Sequence, residues 1–393
     1  MQLFSSVNID FMKHKTQFVV LSTIVNVVGL GIFIAMYMSG RLAVGIDFKG
    51  GTEVQVKFAK PTSVADVRAA LDKAGLTGAT VTTFGKPADN EIYIRLPLQN
   101  VETQVLSAKI KDVMRGLTGE GAVPAGRVDV NTADEQLLET TFATDGHFSP
   151  DESRTAALAI TEHKKNRGGM ITSADELKSV AGASPQVTSW LADKAFISPF
   201  SIRGQNTVEG SVSKELARKA FYAVVGSMIV MLLYIAFRFR LQYGIGAIVA
   251  TIHDVIVTLG IFCLTGQEWS IPVVAAFLTL TGYSTNDTIV VFDRIRENLK
   301  KRGAGNLEQT INASINQTLS RTLITSGLTW LVVVALFLLG GEVLRGFSFV
   351  LMIGIIVGTY SSIFIASPIV IFWERFFAKK AAPAATPRAR ARA

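Results

Sequence analysis

Cysteine is nearly absent. The 393 residues hold one, Cys263, inside an apolar run, so the chain can form neither an internal disulfide nor a cysteine-based metal site. Its expected role is that of a small hydrophobe. No P-loop and no Ser-His nucleophile pattern occur, which removes the usual motifs of phosphoryl- and acyl-transfer enzymes. A cleavable leader is also missing: the apolar run at 18–36 is long and no A-x-A site follows it before Arg41. It reads as a retained anchor.

What the chain has in quantity is apolar sequence. Hydrophobic residues make up 49% of it, yet long polar stretches intervene, as in a membrane protein with a sizeable soluble part. Candidate spans are 16–38, 217–237, 241–264, 271–292, 322–339 and 347–373, which predicts six transmembrane helices. The net charge of +8 gathers at Lys13 to Lys15, at Arg238 and Arg240, at Arg294 to Arg302 and at 379–392, each beside an apolar run. Positive charge in such places marks cytoplasmic loops and an anionic leaflet rather than nucleic acid. With Lys13 to Lys15 inside, every basic cluster falls on one side and both termini are cytoplasmic.

The rest of the chain is organised around residues 271–298. The span at 271–292 carries Asp287, about 9 Å inward from Asp293 at the helical rise, within the hydrocarbon layer. Thr279, Tyr283, Asn286, Asp287 and Val290 recur at three- and four-residue spacing, and Thr281, Ser284, Thr285 and Thr288 make the neighbouring face polar. That half of the helix should avoid lipid. Asp287 then reads either as a packing residue bonded to a neighbouring helix or as a proton site, loaded and unloaded as a nearby cation approaches or withdraws. Residues 241–264 carry His253 and Asp254, with Thr251, Asp254 and Thr258 on one face. Helices normal to the membrane would hold Asp254 and Asp287 roughly 10 Å apart in depth, a stagger suited to a relay.

Residues 282–298, GYSTNDTIVVFDRIREN, resemble the fourth membrane helix of the SecF family, the smaller subunit of the SecDF protein-export complex within the resistance-nodulation-division (RND) superfamily. The stretch 316–329, NQTLSRTLITSGLT, resembles the start of the family's fifth membrane helix, and Asp47-Phe48-Lys49-Gly50-Gly51 matches its D-x-x-G-G element. The resemblance implies an α-helical membrane protein whose six helices are half of an RND-like twelve-helix arrangement. It implies a bacterial inner-membrane location and proton-coupled function resting on Asp287 and Arg321, with protons as coupling ion and no cofactor. Implied partners are SecD, the SecYEG translocon, YajC as an accessory and the translocating preprotein.

The physical logic of the pair is that arginine stays protonated while a carboxyl exchanges its proton. The alternative for Arg321 is a snorkelling anchor at the membrane interface. Asp254 ranks next to the pair; His253 reads as a packed polar residue, and Asn286 and Tyr283 as supporting polar groups. In D-x-x-G-G, Asp47 can bond nearby backbone, while Gly50 and Gly51 permit a tight turn or close backbone approach. A structural role is expected there before a substrate contact.

The external region occupies 39–216. In its first part, 39–130, Val54, Val56 and Phe58 alternate with polar residues as in a strand. A helix should follow with its cap at Thr62 or Ser63, then strands at 79–84 and 91–96, then an amphipathic helix at 100–117 with Val105, Ile110, Val113 and Leu117 apolar. With a last strand at 201–216, that order is α+β ferredoxin-like, as the family's periplasmic domain implies. Residues 131–200 interrupt the family pattern with capped helices opening at Thr132, Ser149, Ser173 and Ser184, a folded insert. The openings at 132–135 and 173–176 are similar, through duplication or chance. His147 and His163 stand among carboxylates at spacing too irregular for a ligand set, so solvated surface is expected. Residues 217–373 carry the second to sixth spans and 374–393 a basic tail.

Two other functions share parts of this pattern. A half-size RND-like exporter of lipid or small molecules would need a substrate cavity and usually larger external domains. An intramembrane aspartyl hydrolase would need Asp254 and Asp287 close enough to share a proton, which the expected stagger opposes.

Overall fold

The computed structural model describes residues 8–85, 87–99, 101–180, 184–238, 241–302 and 306–377. Arg240 and the basic tail beyond 377 lie outside these residues. The chain forms two units, residues 1–45 with 217–393 and residues 46–216.

Helix α1 (Lys15–Met38) opens the first unit, and the second begins with a single turn, α2 (Ile46–Lys49). Strand β1 (Gly51–Phe58), helix α3 (Val64–Lys73), strands β2 (Thr80–Phe84) and β3 (Glu91–Pro97) and helix α4 (Thr103–Thr118) follow. Then come β4 (Val128–Asp129), α5 (Glu135–Asp145), α6 (Pro150–Asn166), α7 (Ala174–Leu177), α8 (Pro185–Lys194) and β5 (Ala195–Phe196). Strand β6 (Phe200–Val208) completes a four-stranded antiparallel sheet in the order β2-β3-β1-β6. Long helices follow: α9 (Gly210–Arg238), α10 (Leu241–Leu264), α11 (Ile271–Arg302), α12 (Leu307–Leu339) and α13 (Gly341–Ser361). A π-turn at Ser362–Ala366 joins the last of these to α14 (Ser367–Phe377).

The sheet is covered on one face because alternate strand residues point there. Val54, Val56, Phe58, Val81, Ile92, Ile94 and Leu96 are buried against Val67 and Leu71 of α3 and Leu106, Ile110 and Met114 of α4. The buried stripe of α4 therefore differs from the expected one: Val105 is exposed, and Leu106 and Met114 carry the packing. Ser63 caps α3 by accepting from the Asp66 N–H.

The D-x-x-G-G element turns the chain from α2 into β1. Gly50 and Gly51 both hold positive φ, +74° and +137°. A Cβ at Gly51 would collide with the Leu96 carbonyl, and one at Gly50 would lie 3.2 Å from the Val208 carbonyl, so the pair lets β1 enter between β3 and β6.

Residues 129–198 form a small helical body with its own core, including Leu138, Phe142, Ile160, Ile171, Val187 and Leu191. Asn131 anchors this body. Its side chain donates to the carbonyls of Ile171 and Ser198, at 2.8 Å each, and its own carbonyl accepts from Ile202 N–H and Ser201 Oγ in β6. Ser149 forms a full capping box with Glu152, and Ser184 caps α8. The cap of α5 is Asp134 rather than Thr132, whose hydroxyl bonds Asp129 instead; Ser173 makes no capping bond to its four-residue helix. The two similar openings thus build different structures.

Among the described residues, Phe11–Met38, Gly210–Ile235, Leu241–Leu264, Leu307–Leu339 and Val343–Phe376 are long and apolar enough to cross a membrane. The chain is a helical membrane protein with these five stretches and a small antiparallel sheet domain. Helix α11, expected as a further crossing, falls short of the same measure because Thr281, Ser284, Thr285, Asn286, Asp287 and Thr288 dilute its apolar sequence. The expected loop at 293–321 is mostly helix. Helices α11 and α12 run on past their apolar parts and face each other there, Asn298 donating to Ser314 Oγ and Gln317 Oε1 and Arg294 to Gln317 Oε1. Arg321 consequently sits well inside α12 rather than before it.

Gly51→Ala should lower stability by about 1–3 kcal/mol, since the backbone conformation and the collision both oppose a side chain. Gly119→Ala, also at positive φ but with nothing within 4 Å, should cost less. Thermal unfolding of the two purified variants checks the order; equal losses would contradict the close-packing account.

Candidate functional site

Four helices of the first unit share one layered arrangement. On α11 the sequence passes from apolar (Val273, Ala276, Phe277, Leu280) through a buried polar run (Thr281, Ser284, Thr285, Asp287, Thr288) to apolar again (Val291, Phe292, Ile295). Helix α10 repeats this in reverse, with Tyr243, Ala247 and Ala250 before Thr251, His253, Asp254 and Thr258, and Phe262 after them. Helix α12 contributes Thr318, Thr322 and Ser326 between Ile315 and Val333, and α13 contributes Ser361 just beyond Ile355. The polar groups therefore form one stratum closed above and below by apolar side chains.

Asp254, fully buried, is the hub. Its Oδ2 accepts from Ser361 Oγ at 2.7 Å and from Ser284 Oγ, and its Oδ1 lies 2.8 Å from His253 Nδ1. One carboxyl thus ties α10 to α11 and α13. The π-turn at Ser362–Ala366 begins directly after Ser361, and such turns widen a helix locally where a side chain must be aimed. The approach is close here: a Cβ on Gly358 would lie 3.2 Å from Ser284 Cβ.

Among the described residues Asp287, 4% exposed, makes one side-chain hydrogen bond, accepting from Ser326 Oγ of α12 at 2.8 Å. Arg321 precedes Ser326 on the same helix and is exposed, and Arg321 and Asp287 make no ion pair among the described residues. Thr251 and Thr285 hydroxyls lie 3.3 Å apart between the two aspartates' helices. The hydroxyls of Thr258 and Thr322, one turn from Asp254 and Ser326, are buried with no hydrogen-bond partner among the described residues.

The structure corrects two expectations about this site. Asn286 is exposed, and Tyr283 is half-buried against the apolar cluster of Phe277 and Leu280, so neither lies beside the Asp287 carboxyl on a shared buried stripe. The buried face is the neighbouring one. The depth difference is also smaller than expected. Ser284 meets Asp254 three residues before Asp287, which sets the two carboxyls about 4.5 Å apart along the helix rather than 10 Å. The cause is register: Gly246 packs on Phe292, so the start of α10 lies level with residues beyond Asp293 on the extended α11. Asp254 and Asp287 nonetheless have separate partners and share no hydrogen bond.

Ser326 and Ser361 were not singled out from the sequence as partners of the aspartates. Their only signal is a small hydroxyl inside an apolar run, which is common in packed membrane helices. Asp47, Gly50 and Gly51 belong to the other unit, at the entry to β1 described above.

Comparisons with known proteins bear on what this arrangement serves. The family described as protein export membrane protein SecD/SecF, C-terminal, matches residues 189–376, and the SecD/SecF GG motif matches residues 45–62. The chain is 42% identical over 384 residues to the protein translocase subunit SecF of Koribacter versatilis, covering 96% of this chain and 94% of that protein. The SecF of Desulfurispirillum indicum is 34% identical over 369 residues, covering 93% and 92%. The crystal structure of SecDF, a translocon-associated membrane protein from Thermus thermophilus, superposes with a TM-score of 0.65 at 29% identity, over 95% of this chain and 40% of that one. The chain thus spans less than half of that longer protein.

Asp254→Ala would leave Ser284, Ser361 and His253 facing an empty site, at about 1–3 kcal/mol for each orphaned group. Asp254→Asn keeps an acceptor oxygen and should lose less. Thermal unfolding of the detergent-solubilised chain tests this, and equal melting temperatures for the two variants would show that Asp254 does not hold the helices together.

Proposed function

The chain belongs to the SecF family of protein translocase subunits, a transport family rather than an enzyme family, and from that premise we propose that it couples proton movement to late preprotein translocation. The proposed complex is SecF with SecD as a separate chain, working beside SecYEG, with YajC as an accessory, in the bacterial inner membrane. Helix α11 is taken as a sixth crossing among protein neighbours, since its polar run is buried and is flanked on both sides by buried apolar residues. Both termini are assigned to the cytoplasm from the basic clusters. Residues 46–128 with β6 are read as a ferredoxin-like periplasmic domain, on the strand–helix–strand–strand–helix–strand order and the sheet order β2-β3-β1-β6. Residues 131–200 are read as its insert.

The observation that carries the proton reading is the placement of Asp287: a carboxyl with one hydroxyl partner, next to a charged helix neighbour, inside a polar stratum closed by apolar layers. A carboxyl so placed can be charged when Arg321 approaches and neutral when it withdraws. Asp254, held by two serine hydroxyls and the His253 ring, is assigned the static role of fixing α10, α11 and α13, with proton transfer to or from Asp287 as its second role. One proton moved down 100 mV releases about 2.3 kcal/mol, enough to bias a conformational equilibrium more than tenfold. For a half-size exporter the apolar layers are the obstacle, since they occupy the path a substrate cavity would need. The aspartyl-hydrolase reading fails on the absence of a hydrogen bond between Asp254 and Asp287.

Preprotein export in cells depleted of their own SecDF, supplied with this chain and its SecD, tests the reading. Asp287→Asn at matched membrane levels keeps size and hydrogen bonding but cannot titrate, and export should fall to the level of depleted cells. Undiminished export would reduce Asp287 to a packing residue.

A further inference from the structure

The external unit contains a cleft of about 430 Å³ where α4 meets the helical body. Three cations line it: Lys111 and Arg115, one turn apart on α4, and Arg127 just before β4. One carboxylate, Asp129, faces them, and it is already occupied, accepting from Thr132 Oγ1 at 2.8 Å and Ser198 Oγ at 2.7 Å and pairing with Arg115 at 3.6 Å. Arg115 also bonds Asp112. The side chains of Lys111 and Arg127 have no hydrogen bond or ion pair among the described residues. Burial pushes the Lys111 ammonium below the usual lysine range; Asp134 and Asp129 oppose the shift and Arg115 adds to it. Among the lining side chains three cations therefore face one carboxylate, with Asp112 and Asp134 nearby but outside the lining.

Leu137 of α5, Trp190 of α8, Val123 and Val128 supply an apolar wall, and Thr132 and Thr141 line the cleft beside it. Arg115 Nε and Trp190 Nε1 are buried without an acceptor, and small rotations of these side chains would turn both donors toward the cleft. A free inorganic anion would neutralise the cations but leave the apolar wall bare. A peptide carrying a carboxylate beside an apolar side chain fills both, and its backbone carbonyls offer acceptors to the two idle donors. The volume falls within the range of about 300–1,000 Å³ typical of ligand sites.

We propose that this cleft binds an extended segment of the translocating polypeptide in which an acidic residue adjoins an apolar one. The acidic side chain meets Lys111 and Arg127, and the apolar one meets Leu137 and Trp190. This rests on the translocation reading for the source of the peptide and on the cleft alone for its chemistry.

Fluorescence anisotropy of the full chain, reconstituted with its SecD, against a labelled ten-residue peptide containing Glu-Leu and Glu-Phe pairs is the test. The acidic peptide should bind and weaken with added salt, whereas its Glu→Gln counterpart should bind about tenfold more weakly. Lys111→Gln with Arg127→Gln should produce a similar loss, and Lys111→Arg with Arg127→Lys should restore binding. Failure of the acidic peptide to bind, equal binding of both peptides, or full affinity in the charge-neutralised variant would overturn the proposal. Displacement by millimolar inorganic phosphate as effective as by unlabelled peptide would reassign the cleft to small anions and overturn it as well. Asp287→Asn should leave peptide affinity unchanged, so the cleft and the proton mechanism can fail separately.

Discussion

The membrane unit depends on keeping carboxyls in a place that would otherwise exclude them. A buried carboxyl is tolerated when hydrogen-bond partners surround it, and Asp254 has three among the described residues, the donating hydroxyls of Ser284 on α11 and Ser361 on α13 and the His253 ring on its own helix. Those bonds set the helix register. With Ser284 fixed opposite Asp254, Gly246 falls opposite Phe292 and Gly358 opposite Ser284, and the apolar side chains on either side close into two clusters. Polar residues at the wrong heights would have left donors unpaired in one cluster and holes in the other.

Asp287 sits in the same stratum under weaker control. Its one bond goes to Ser326 of α12, and the nearby cation is exposed rather than paired. The contrast suggests a division of labour in which Asp254 holds three helices together while the Asp287 environment changes as α12 moves. Since α11 carries both Ser284 and Asp287, a shift of α12 against α11 alters the second carboxyl without breaking the first. Under the proposed function the apolar clusters are the two closures of this stratum, and proton exchange with either side requires one of them to part. In the proposed account that parting is the motion transmitted to the external unit.

Much of the architecture was legible in the sequence. Strand alternation at Val54, Val56 and Phe58 and the capping box at Ser149 and Glu152 carry local, short-range signals, and these elements form where the signals lie. The polar run at 281–288 announced a helix face that avoids lipid. Less legible was anything set by packing between helices. The buried stripe of α4 keeps Ile110, with Val113 and Leu117 at its edge, but centres on Leu106 and Met114 and leaves Val105 out, because the sheet surface, not the helix alone, decides which side is covered. The extension of α11 and α12 past their apolar parts depends on pairings such as Asn298 with Ser314, and it moved both the depth of Asp287 and the position of Arg321. Ser326 and Ser361 become visible only once the helices are assembled, because a single hydroxyl in an apolar run says nothing about which carboxyl it will meet.

The central claim is that Asp287 exchanges a proton across the membrane. The most direct measurement is proton flux into liposomes containing this chain with its SecD, under an imposed potential and with a pH-sensitive dye trapped inside. The account predicts flux in the unaltered complex, loss to the leak of empty liposomes in Asp287→Asn, and intact assembly of the variant by size-exclusion chromatography. Equal flux from the variant and the unaltered complex would contradict it.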